Sequence, residues 1–267
     1  MRSISKLLSL SGRSALVAGG AGHIGLAVGE ALVELGATVA VLDLDIEACR
    51  ERAATLSQIR DNGALAVQCD LTDEAATRSA VRKTVQELDG LDILVHCAAY
   101  VGTTQIPGWA VPFSEQTVEA WDTALRVNLT SAFIMVQEAR ESLSVSGHGS
   151  VILFGSTYGV VGPDYSLYEG TSMSNPAGYG ASKGGILQLT RYLATTLAPR
   201  VRINTISPGG VWRGQPESFH QRYMDRTPLA RMATEEDLKG AITYLAGDLS
   251  EYVTGHNLAV DGGWTAW

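Results

Sequence analysis

Short apolar runs recur along the whole chain, and longer stretches with helical spacing separate them. The runs Ala15–Ala18, Thr38–Leu42, Ala64–Cys69, Leu91–His96, Val151–Phe154, Val201–Ile206 and Leu258–Val260 predict about seven strands. Within each run the apolar residues are continuous rather than alternating, the pattern of a parallel sheet covered on both faces. Ile24–Leu35, Thr72–Leu88, Ala120–Leu143 and Ala181–Ala198 carry the helical spacing. Strand and helix in strict alternation imply right-handed crossovers and an α/β fold with a single doubly wound parallel sheet, helices on both faces. No linker, repeat or low-complexity tract interrupts the pattern, so one domain over residues 1–267 is expected. Two Gly- and Pro-rich segments, Gly159–Gly178 and Gly209–Pro228, are too long for ordinary connections. Both follow strands on the carboxyl side of the sheet, where such folds bind ligands, and both are expected to wall a substrate pocket.

Composition narrows the function classes. A formal charge of −8 disfavours nucleic acid and anionic membrane as partners. Three scattered cysteines, Cys49, Cys69 and Cys97, fit neither a disulfide framework nor a metal site, which points to a reducing cytoplasm. Ser9, Ser11, Gly12 and Arg13 break up the weakly apolar amino terminus, and the next apolar run is needed as a strand. No run approaches the ~18 residues of a spanning helix. No metal is expected.

The first strand leads into Gly19-Gly20-Ala21-Gly22-His23-Ile24-Gly25. Glycines here permit a tight turn and let a pyrophosphate approach the backbone, and the helix that follows offers free N–H groups to the phosphates. Asp43 ends the second strand, 18 residues past Gly25. A carboxylate there accepts the adenosine ribose hydroxyls and repels a 2′-phosphate, and no Lys or Arg stands in the turn or just after Asp43. The expected cofactor is therefore NAD, on a Rossmann-type fold.

Tyr179 and Lys183 are four residues apart at the start of an apolar helix, so both address one site. A phenol titrates near 10 and is a poor acid–base group at neutral pH; a neighbouring ammonium is expected to lower that value.

With these motifs the whole chain resembles the classical short-chain dehydrogenase/reductase family. In that family the tyrosine is the general acid/base, the lysine holds the nicotinamide ribose, a serine binds the substrate oxygen and an asparagine anchors a proton-relaying water. The resemblance places these roles on Tyr179, Lys183, Ser156 (in Phe154-Gly-Ser156) and Asn128 (in Arg126-Val-Asn128-Leu). It gives the cofactor to Gly19, Gly22, His23, Ile24, Asp43, Asp70, Leu71, Ala98, Tyr179, Lys183, Pro208, Gly209 and Val211. Tyr252–Gly263 is similar to the family's carboxyl-terminal strand and tail. The implied reaction interconverts a secondary alcohol and a ketone by hydride transfer, and the implied assembly is a homotetramer built on Ala120–Leu143 and Ala181–Ala198. The chain departs from the family at Ala18 and His23 in the turn, and at His96-Cys97-Ala98-Ala99 where Asn-Asn-Ala-Gly is usual. Ser156 precedes Tyr179 by 23 residues, more than is common there.

That expansion carries Tyr165, Tyr168, Glu169, Thr171, Ser172 and Asn175, hydrogen-bonding groups suited to a polyhydroxylated, sugar-related molecule. Trp212 is a candidate substrate contact and Arg213 a candidate grip for an anionic group. The alternatives are a dehydrogenase of simple cyclic or aliphatic alcohols, or a nucleotide sensor without catalysis. An intact Ser156–Tyr179–Lys183 set argues against the sensor, which has no use for a tuned phenol.

Overall fold

The computed structural model describes residues 1–267. Seven strands form one parallel sheet: β1 (Ser14–Ala18), β2 (Thr38–Asp43), β3 (Ala64–Gln68), β4 (Ile93–His96), β5 (Gly149–Phe154), β6 (Val201–Pro208) and β7 (Asn257–Val260), in the order β3-β2-β1-β4-β5-β6-β7. The doubly wound sheet expected from the apolar runs is what the chain forms, with helices on both faces.

Side-chain alternation along each strand feeds two cores. Leu16, Ala18, Ala40 and Leu42 belong to one cluster of 23 buried residues, whereas Ala15, Val17, Val39 and Val41 belong to a second of 22. Because both faces are apolar, the strands read as unbroken runs. The helices are α1 (Ile4–Leu8), α2 (His23–Glu34), α3 (Ile46–Ile59), α4 (Glu74–Glu87), α5 (Val118–Leu125), α6 (Ser131–Val145), α7 (Ala177–Leu197), α8 (Glu217–Arg226) and α9 (Glu236–Ala246). No helix is long and apolar enough to cross a membrane.

Three expectations about helices need correction. Ala120–Leu143 is not one helix: a π-helical turn, Arg126–Thr130, separates α5 from α6. The segment Gly209–Pro228 is not all loop, since α8 lies inside it with Phe219 and Tyr223 turned into a small aromatic core. Gly159–Gly178 contains a 3-10 turn at Tyr165–Tyr168, and its last two residues already belong to α7. Leu167 and Asn175 in this segment are buried. Arg222 of α8 donates to the carbonyls of Leu167 and Glu169 at 3.2 and 2.6 Å, which ties the two segments together.

Candidate active site

Strand register puts the sequence-derived residues along one edge. Ala18 pairs with Leu42 and His96, His96 with Leu153, and Phe154 with Ile206, so the carboxyl ends of β1, β2, β4, β5 and β6 are level. The strand order reverses between β1 and β4, the crevice where doubly wound sheets take ligands.

The glycine turn sits over that crevice. Gly19 adopts φ +77°, and a Cβ there would lie 2.5 Å from the backbone nitrogen of Ala98. Only glycine lets the turn rest on the end of β4. Gly22 then caps α2 without a side-chain bond, and the helix carries no acidic residue in its first turn. Its N–H groups and positive dipole end, at His23 and Ile24, are thus free to take an anion. The Asp43 carboxylate accepts from the backbone N–H of Ala21 at 3.2 Å and of Leu44 at 2.8 Å, fixing it beside the turn. Asp70 caps its own loop through Thr72, and Leu71 is buried behind it.

One basic residue at this turn was missed. Arg52, on α3, donates from Nε to the carbonyl of Ala21 at 3.1 Å. Its only sequence signal was helical spacing after Asp45, the N-cap of α3. His23 is exposed and lies 3.8 Å from Glu235, which holds Arg213 at 2.6 Å. Arg213 is therefore already paired, which removes it as an unengaged grip for an anionic group. Pro208 ends β6, Gly209 donates to the carbonyl of Val260 at 2.9 Å, and Val211 bridges to Ala233.

The acid–base residues converge on the middle of the edge. Ser156 follows β5, is 7% exposed, and accepts from the backbone N–H of Tyr158 at 3.1 Å. Gly159 then lets the chain pass directly against α7: a Cβ there would meet the Lys183 carbonyl carbon at 2.7 Å. Lys183, 3% exposed, donates from Nζ to the carbonyl of Phe154 at 2.7 Å. With no carboxylate beside it, burial pulls its pKa down to about 8. Tyr179 is half-buried, its ring centroid 5.9 Å from Lys183 Nζ.

Burial raises the phenol's pKa above its ordinary value, and the neighbouring Ser156 hydroxyl partly opposes the rise. The lowering expected from Lys183 is thus not what this state displays. The physical reason is that the ammonium is spent on the strand-end carbonyl rather than on the phenol.

Asn128, fully buried, accepts from the Tyr100 N–H at 2.7 Å and donates to the Tyr100 carbonyl at 3.1 Å and to Ser182 Oγ at 3.0 Å. Ser182 in turn donates to the Tyr179 carbonyl at 2.8 Å. Asn128, Ser156 and Lys183 are thus buried around a half-buried Tyr179. The neighbouring wall comes from the expanded segment. Tyr158 and Tyr168 share a hydroxyl–hydroxyl bond of 3.1 Å, Tyr165 donates to the Asn175 carbonyl at 3.3 Å, and the Tyr168 ring packs 5.3 Å from Phe219. Glu169 points to solvent and only its carbonyl is engaged, so it lies outside this wall. Trp212 is 38% exposed and packs against His220 at a tilt, with ring centroids 4.1 Å apart.

Fold and edge together define an oxidoreductase of the nicotinamide-dependent kind. The family model described as enoyl-(acyl carrier protein) reductase matches residues 19–265. Over 261 residues the chain is 33% identical to cis-4-hydroxycyclohexanecarboxylate dehydrogenase of Sinomonas cyclohexanicum, covering 95% of this chain and 97% of that one. It is 30% identical over 266 residues to D-threitol dehydrogenase of Mycolicibacterium smegmatis, covering 96% and 94%. A short-chain type dehydrogenase/reductase from Mycobacterium marinum matches with a TM-score of 0.84 at 29% identity, over 100% of both chains. The chain belongs to the short-chain dehydrogenase/reductase family, and it is an oxidoreductase acting on alcohols.

Proposed function

We propose that this protein is an NAD-dependent dehydrogenase of a secondary alcohol that carries further hydroxyl groups. The observation that carries the reading is the half-buried Tyr179 with buried Ser156, Lys183 and Asn128 around it, beside an open glycine turn. The chain's own residues fit the cofactor. The α2 start, without a side-chain cap, would take the pyrophosphate and Asp43 the adenosine ribose, and the family resemblance gives the nicotinamide end to Pro208, Gly209 and Val211. When bound, the cofactor supplies the hydride acceptor. Ser156 holds the substrate oxygen, and Tyr179 is the group through which the hydroxyl proton passes. Lys183 and Asn128 hold the path by which that proton leaves the phenol, and reduction runs the same contacts in reverse.

NAD is favoured over NADP because the Asp43 carboxylate stands where a 2′-phosphate would go. Arg52 supplies the opposing cation at the same turn, so Asp43 alone sustains the discrimination.

The Tyr158–Tyr168 hydroxyl pair supports a substrate with a second hydroxyl, such as a sugar-related polyol, because a polar wall left unpaired by a hydrocarbon costs about 1–3 kcal/mol per group. The aromatic packing of Tyr168 on Phe219 favours, as a second reading, a simple cyclic alcohol. Measuring kcat/KM for ring polyols, acyclic polyols and simple cyclic alcohols, each with NAD and NADP, tests both points. Polyols with NAD are expected to lead by about 10-fold or more over the unsubstituted ring. A lead for the unsubstituted ring, or equal use of NADP, would overturn the corresponding half.

We also infer a homotetramer. Trp121, Phe133 and Tyr192 are exposed on α5, α6 and α7, the helices that the family resemblance assigns to subunit contacts. Light scattering should return four times the 28.3 kDa chain mass at micromolar concentration, and a monomer mass would refute it.

A further inference from the structure

His96 ends β4, is 1% exposed and has no role in the chemistry described so far. Its ring lies 2.7 Å, through Nε2, from the Ser131 hydroxyl, and Ser131 is the first residue of α6 after the π-helical turn. Burial, with the Lys183 charge nearby, pulls the His96 pKa down to about 3, so the ring is neutral and has a single N–H to give.

The direction of that bond follows from Ser131. In an α-helix the Ser131 N–H would reach the Val127 carbonyl four residues back; in this turn it reaches Arg126 instead. The Ser131 hydroxyl takes the Val127 carbonyl, at 2.6 Å. Its one hydrogen is thereby committed, its oxygen can only accept, and the histidine is the donor. A widened turn is thus closed by a side-chain relay from β4, and the residue next to Val127 is Asn128. From Asn128 the bonds run to Ser182 and to the Tyr179 carbonyl.

We propose that His96 is a positioning residue: by donating to Ser131 it holds the π-helical turn in the shape that sets the Asn128 amide against α7 at Tyr179. The inference rests on the proposed role of Asn128 in the proton path. A lost donor leaves the Ser131 oxygen and the strand end unmatched, and the turn is then free to relax toward α-helical pairing, which shifts Asn128. Shifts of this kind cost turnover rather than binding, because His96 is buried and offers a ligand no surface.

The test compares His96→Leu, His96→Gln, Ser131→Ala, the Leu/Ala double variant and Asn128→Ala by steady-state kinetics. His96→Leu and Ser131→Ala should each lower kcat by about 10- to 100-fold while KM for NAD stays within about twofold. His96→Gln, whose amide restores an N–H donor, should recover most of the loss. The double variant should be no slower than the slower single one, because both break the same relay. If His96→Leu fails to fold, Ser131→Ala against His96→Gln carries the same comparison.

Two outcomes overturn the proposal while leaving the catalytic reading in place: wild-type kcat in His96→Leu or Ser131→Ala with Asn128→Ala impaired, or losses that multiply in the double variant. Full activity in Asn128→Ala overturns both at once.

Discussion

Tyr179→Phe should lower turnover by about two to four orders of magnitude, the worth of a positioned proton donor. The variant removes one oxygen and keeps the ring, which packs beside Trp109 and Ala124. Folding and cofactor affinity should therefore be largely kept, and the loss should fall on kcat. Ser156 and the phenol act on the same substrate oxygen, so Ser156→Ala added to it should cost little more. Steady-state rates with NAD titrated to saturation check this. A Phe variant at near wild-type rate would remove Tyr179 from the chemistry.

Lys183→Met should cost about 10²–10³-fold in turnover, the usual loss when one preorganised electrostatic donor is removed from a buried site. It should also reshape stability as a function of pH. The Lys183 ammonium is buried against a carbonyl with no carboxylate partner, and its pKa falls from an ordinary 10.5 to about 8. Below pH 8 it is charged in both folded and unfolded chains, and the cost of burying the charge is fully present. Between pH 8 and 10.5 the unfolded chain binds more protons than the folded one, so that cost fades and wild type gains on the variant. The gain amounts to about 3 kcal/mol over that interval. Denaturant unfolding of both proteins at pH 7 and pH 10.5 measures it. A constant stability difference would mean that the lysine is hydrated in the fold.

The legible parts of this molecule were those set by local rules. All seven strands were readable because burial on both faces leaves unbroken apolar runs, and Ser14–Ala18 and Thr38–Asp43 differ from their expected bounds by one residue each. Tyr179 and Lys183 were readable because i, i+4 spacing on a helix puts them on one side. The break at Arg126–Thr130 was not, since besides the adjacent Ser131 it is held by His96 and Tyr100, partners that only the tertiary fold brings near. Helix α8 was hidden because Phe219 and Tyr223 are its only buried positions, too few to show a periodic face among Gly- and Pro-rich neighbours. Arg52 was not legible because it lies well past Asp43 in sequence and only the path of α3 returns it to the turn. The state of the phenol also depended on where the Lys183 ammonium is directed, which spacing alone leaves open.

The most direct test of NAD-linked alcohol oxidation uses a ring polyol deuterated at the carbinol carbon, incubated with wild-type protein and NAD. Hydride transfer predicts that ketone and reduced cofactor form in equal amounts, with the deuterium on the nicotinamide ring. Tight NAD binding with no label transferred from any alcohol in a polyol and cyclic-alcohol panel would contradict it and leave a nucleotide-binding protein without catalysis.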